Sequence, residues 1–143
     1  MSTITSANSV FMLGASPLYS VAQEIQDYAA DDMFTLADVD MAEVLMGADG
    51  KLSGGYTPYP VSLDFSLQAN SASNILMDLI MDYQDSKKEV LNFFASISLP
   101  SLGVVYDFTN GFLAKGSPMP SAKKVMQPRK FTIVFNRILR VPV

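Results

Sequence analysis

The 143-residue chain has no cysteine, no histidine and no tryptophan. Without cysteine there is no disulfide framework and no thiolate metal site. Without histidine it lacks the side chain that titrates near neutral pH and the commonest metal ligand. Ser–His and Cys–His catalysis and the usual zinc sites are thereby excluded. No apolar run reaches the ~20 residues needed to cross a bilayer as a helix, so no membrane insertion is expected. Residues 1–13 hold no Lys or Arg, unlike the charged start of a secretory signal. The expectation is a soluble protein that does not leave by that route.

Positive charge is scarce where the chain begins. Residues 1–85 carry 12 acids and one base, a formal −11, while residues 86–143 carry 2 acids and 9 bases, a formal +7. The net −4 hides this division. A net negative chain is a poor general nucleic-acid binder. One with oppositely charged surfaces can attract copies of itself. With 49% apolar residues and 17% charged, the chain is expected to fold. Its length suits one domain that buries about two-thirds of its unfolded surface.

Residues 1–9 are rich in Ser and Thr and read as a flexible arm, leaving 10–143 as one domain. Residues 10–13 read as a short strand and 14–17 as a turn. Residues 18–30 are ambiguous: Pro17 starts a helix well and Leu18, Val21, Ala22, Ile25 and Ala29 fit a helical stripe. Tyr19, Val21 and Ile25 also fit a two-residue period, with Gln23 the exception. Asp49-Gly50 is a tight-turn signal. With Gly54, Gly55, Pro58 and Pro60 it predicts a long exposed loop after the apolar residues 41–46.

The clearest strand is 61–68, where Val61, Leu63, Phe65 and Leu67 alternate with polar residues. The clearest helix follows, over about 72–88, with Ser71 or Ser73 able to cap it. Ile75, Leu76, Leu79, Ile80 and Tyr83 predict its apolar face. Asp78, Asp82 and Asp85 predict the opposite one, with Lys87 and Lys88 at the negative end of the helix dipole. Residues 91–99 and 104–108 alternate again about a turn at 100–103. Residues 115–128 read as a basic loop, and Phe131, Ile133 and Phe135 begin a last strand running to about 141.

Few constellations carry chemistry. Asp38-Val39-Asp40 opens like a calcium loop, but position six holds Glu43 in place of glycine and position twelve holds Asp49 in place of a bidentate glutamate. Paired carboxylates could serve glycoside hydrolysis, yet no Trp or sugar-stacking pattern accompanies them. Asp31 and Asp32 add to the acids without a ligand spacing. The nine methionines read as core filler or adaptable interface. The chain is therefore expected to be no enzyme and to need no cofactor or metal. The inter-subunit contact candidates are Asp49, Lys51, Asp78, Asp82, Asp85, Lys123, Lys124, Arg129 and Lys130. A monomeric β-barrel binding a small apolar ligand is the alternative.

The runs Ala29-Ala30-Asp31-Asp32-Met33-Phe34, 43–55, 67–73 and Ser121-Ala122-Lys123-Lys124-Val125-Met126-Gln127-Pro128-Arg129 together resemble bacteriophage tail tube proteins. These are often labelled tail fibre proteins and share their plan with the type VI secretion tube subunit. The resemblance spans about residues 10–137. It implies a mainly β fold, a β-sandwich or small β-barrel with one flanking α-helix, in hexameric rings stacked into a helical tube. It also implies strand over 18–28. By the same resemblance the lumen passes DNA during genome ejection without binding it specifically. Tail sheath, baseplate and terminator proteins are the implied partners, and the place is the virion tail, assembled in the host cytoplasm.

Overall fold

The structure, a computed structural model, describes residues 9–25, 34–56, 58–120 and 122–142. Along the chain these form β1 (Val10–Ser16), β2 (Tyr19–Ile25), β3 (Phe34–Leu36), β4 (Ala42–Met46), β5 (Leu52–Tyr56), β6 (Val61–Leu67), α1 (Ser73–Lys87), β7 (Asn92–Leu99), β8 (Val104–Gly116) and β9 (Arg129–Pro142). Seven strands make one antiparallel sheet in the order β2-β1-β7-β8-β9-β6-β3, and among the described residues β4 pairs only with β5.

Alternation decides what this sheet buries. Phe11, Leu13 and Ala15 of β1 lie opposite Ile97, Ala95 and Phe93 of β7, and Val61, Leu63 and Phe65 of β6 lie opposite Phe135, Ile133 and Phe131 of β9. All twelve are buried. Although β1 is second in the order and β6 sixth, the rings of Phe11 and Phe65 meet edge-on at 5.1 Å. Phe11 also reaches Phe34 on the edge strand β3, at 6.2 Å. The sheet therefore folds its apolar face onto itself, as a sandwich does. Its end strands β2 and β3 do not pair, so among the described residues it is not a closed barrel. Phe65 stacks on Phe131 at 5.5 Å and Phe108 packs on Phe135 at 5.0 Å. Each buried phenylalanine contributes about 2–3 kcal/mol of transfer free energy.

The mainly β architecture with one flanking helix agrees with expectation; several boundaries do not. The turn expected at 14–17 shrinks to Pro17-Leu18, because β1 runs on to Ser16. Gly14 is there for close approach, not for a turn: a Cβ on it would lie 2.2 Å from the Phe94 ring on β7. Tyr19–Ile25 is strand, so pairing with β1 overrides the local helix signals; residues 26–28 lie outside the described residues, as do most of the N-terminal arm and Asp31-Asp32. β8 continues eight residues past the expected Phe108, because β9 offers a partner along its whole length.

The predicted helix face is right in part: Leu76, Ile80 and Tyr83 lie against the core, and Ile75 and Leu79 do not. Ile75 and Leu79 are 65% and 49% exposed, while Met77 and Ile80 are buried and Leu76, Met81 and Tyr83 pack half-buried beside them. Polar bonds at its start set this rotation. The Asn74 side-chain amide donates to the carbonyls of Gln68 and Ala69 at 2.8 and 3.3 Å, which holds Asn74 inward. The N-cap position is Ala72, so neither serine occupies it. Ser71 Oγ instead accepts the Ser73 N–H at 3.1 Å. Lys88, at φ 57°, ends the helix in the left-handed region.

Candidate subunit interface

The sequence candidates divide into three groups in space. Two of them meet inside the chain. Arg129 is the first residue of β9, in phase with Phe131, Ile133 and Phe135, and is 4% exposed. Its guanidinium donates to both Asp78 oxygens, at 2.6 and 3.3 Å. It also donates twice to the Ser117 carbonyl, at 2.6 and 3.2 Å, and lies 5.4 Å from the Phe131 ring centroid. A bidentate pair with one buried partner is the strong form of such a contact. It ties α1 to both strands that flank the basic loop. The structure thus pairs Asp78 with Arg129, two residues expected on a surface between copies, within one copy.

Beyond that neck lie residues 117–120 and 122–128, most of them exposed. Ser117 N–H donates to the Lys130 carbonyl at 3.1 Å, which closes the base. An isolated bridge between Ala122 and Met126 folds the loop on itself and puts Lys123, Lys124 and Val125 at its tip. Lys123 and Lys124 are exposed, and Met119, Val125 and Met126 are 71%, 72% and 58% exposed. The described part of the loop thus offers two exposed cations beside exposed apolar side chains. Lys130 is exposed on the outward face of β9, opposite Ser66.

The second group sits on the β4–β5 hairpin. Of the long loop expected at 47–55, residues 52–55 are strand and residues 47–51 form the turn. Gly47 N–H donates to the Lys51 carbonyl at 2.8 Å, Gly50 N–H to the Gly47 carbonyl at 3.0 Å, and Lys51 N–H to Asp49 Oδ1 at 3.1 Å. Asp49 is therefore engaged in shaping the tip, and Gly50, at φ 83°, supplies the left-handed step. In this register Ala42, Val44 and Met46 lie opposite Tyr56, Gly54 and Leu52. Alternation puts these six on one face, and none carries a polar side chain beyond the Tyr56 hydroxyl. Val44, Met46, Leu52 and Tyr56 are 55%, 66%, 66% and 77% exposed.

At the hairpin's root lies a groove of about 570 Å³ with the carboxylates of Asp38, Asp40 and Glu43 and the apolar walls Val39, Tyr59 and Pro60. Among the described residues no three His, Cys, Asp or Glu are grouped to hold a metal ion. The third group is on α1. Asp82 and Asp85 are exposed, and Asp85 faces Lys88 at 3.7 Å with both side chains in solvent. A pair of that kind contributes about 0–1 kcal/mol. The hairpin's apolar face and the buried Arg129 were not read from the sequence. Arg129's place in the inward phase of β9 was the available signal for the latter. Among the described residues no helix is long and apolar enough to cross a membrane.

Chains of known assemblies share this fold. One is a chain of the PVC sheath-tube complex of an extracellular contractile injection system in the extended state, with a TM-score of 0.60 at 13% identity over 93% of this chain and 88% of that one. A second belongs to the anti-feeding prophage tube terminating cap, at 0.63 and 10% identity, over 100% of this chain and 93% of that one. A third comes from the six-fold symmetrised anti-feeding prophage baseplate, at 0.62 and 10% identity, over 100% and 99%. At such identities the likeness is one of fold. No curated protein matches the chain. The family description Tail fiber protein gp32 matches it over residues 2–139.

Proposed function

The chain belongs to the Tail fiber protein gp32 family, and from that membership we propose that it is a structural subunit of a bacteriophage tail tube. Its rings would stack into a helical assembly whose lumen conducts DNA into the host. The observation that carries this reading is the β4–β5 hairpin. Two strands alone are marginal in water. This pair presents an apolar face of Ala42, Val44, Met46, Leu52 and Tyr56 to solvent. Such a face calls for a protein cover. When the cover is a different surface of the next copy, the contact is head-to-tail, and its repetition generates rings or filaments.

The role is one of assembly, not catalysis. The similar chains come from a sheath-tube complex, a tube cap and a baseplate. That company supports a tail particle as the place of action, with sheath, terminator and baseplate proteins as partners. A net charge of −4 suits a conduit through which DNA passes without adhering. The alternative, an apolar ligand inside the sheet, is less favoured, because Phe11, Phe65, Phe93, Phe131 and Phe135 fill much of its inner face. Negative-stain microscopy of the purified full chain tests the proposal. Rings or tubes are expected; a strict monomer at every concentration and salt, even beside a tail initiator, refutes it.

A further inference from the structure

Strand β6 carries opposite chemistry at its two ends. Its start, with Pro60 and Tyr59 just before it, belongs to the groove that holds Asp38, Asp40 and Glu43. The Ala37 N–H donates to the Ser62 carbonyl at 3.0 Å and fixes the acid-bearing segment there. Its last residue, Leu67, lies opposite Arg129, the clamp at the neck of the basic loop. A strand rises ~3.3 Å per residue, so these ends are about 20 Å apart. The loop is closed at its base and bridged near its tip. It stands at the far end of the strand from its own chain's groove.

We infer that the loop of residues 117–128 seats in the acid-rimmed groove of a second copy. Lys123 and Lys124 meet Asp38, Asp40 and Glu43, while Val125 and Met126 pack on Val39, Tyr59 and Pro60. Two cations against three carboxylates neutralise most of the charge on both surfaces, and each surface also offers apolar walls to the other. A projecting element and a receiving groove at opposite ends of one strand give copies a common direction, the condition for an open head-to-tail stack. Charge complementarity of this kind steers the encounter and fixes register, and salt weakens it. The inference deepens the tube reading and rests on its premise of self-association. Nucleic acid is the less fitting occupant of the loop, which offers two lysines at its tip among exposed apolar side chains.

Charge reversal tests it on the full chain. Lys123→Glu/Lys124→Glu and Asp38→Lys/Asp40→Lys change exposed residues, and circular dichroism checks that each still folds. Each variant alone should need at least about ten-fold more protein to assemble at low salt, by sedimentation. An equimolar mixture, or one chain carrying all four changes, should assemble as the unmodified protein does. Zero-length carbodiimide cross-linking of the unmodified protein should join 117–128 to 38–43 between copies, identified by mass spectrometry. If the unmodified protein forms tubes while the reversals leave assembly unchanged and that cross-link is absent, this contact is overturned and the tube reading stands. If the cross-link forms but only dimers appear, the contact stands and the tube reading falls. Loss of DNA retention with unchanged assembly in the lysine variant would overturn the contact in favour of a nucleic-acid partner.

Discussion

Removing Asp78 should damage the protein more than removing Arg129, although the two form one pair. The Asp78 side chain is 47% exposed and that of Arg129 5%. With Asp78→Ala, the guanidinium stays buried, keeps the Ser117 carbonyl and loses its counter-charge. Orphaning one member of a buried pair costs about 3–5 kcal/mol. Half-exposure of this carboxylate lowers the expected loss to about 2–3 kcal/mol. With Arg129→Met, the aliphatic stem is replaced by a similar one and Asp78 is rehydrated. Only the Ser117 carbonyl loses its donors, for about 1–2 kcal/mol. Asp82→Ala, at an exposed site on the same helix, should fall within about 0.5 kcal/mol of the parent. Urea unfolding followed by circular dichroism at pH 7, at protein concentrations low enough to hold the chain dissociated, reads all three. In thermal melts the first loss corresponds to about 6–9 °C. The Asp78→Ala deficit should persist in 1 M salt, because a buried contact is poorly screened. If Asp78→Ala behaves like Asp82→Ala, or its deficit disappears in 1 M salt, the clamp is not what ties α1 to the sheet.

Other outcomes follow from the same structure. Val44→Asp or Leu52→Asp, on the exposed hairpin face, should change the unfolding free energy by less than about 0.5 kcal/mol yet leave the chain monomeric by size-exclusion chromatography; normal tubes would remove that face from the interface. Gly14→Ala should cost about 1–3 kcal/mol because its Cβ would strike the Phe94 ring. Phe94→Ala in the same chain should recover part of that loss, so additivity in the double-mutant cycle would contradict the contact. Phe65→Ala, which empties space between Phe11 and Phe131, should cost about 3–5 kcal/mol in urea unfolding.

What could be read in advance depended on whether a residue's neighbours are close in sequence. Val61, Leu63, Phe65 and Leu67 announced β6 because one face of the strand is buried. Residues 52–55 read as loop because Gly54 and Gly55 sit within β5, and alternation marks no inside where every residue of both hairpin strands is exposed. The helix is legible, with Leu76, Ile80 and Tyr83 of its apolar face; Ile75 and Leu79 turn outward, because Asn74 is held inward by its amide bonds to the preceding turn. The acids and bases read as surface, and Arg129 departs from that by being buried. That Asp78 and Arg129, 51 residues apart, would answer each other depends on the pairing of β6 with β9, which no local pattern encodes. The exposure of Lys123 and Lys124 matches their reading as a basic loop.

The lone pairing of β4 with β5 has a kinetic consequence. A free copy carries a hairpin that, among the described residues, no third strand braces. In the proposed tube, a copy joining an existing end would have its hairpin covered on arrival or would cover the one waiting there. Two free copies that meet leave one hairpin still bare. Growth from a seed should therefore outrun spontaneous starts, and a large pool of the protein can wait, unassembled, until something supplies the first covered face.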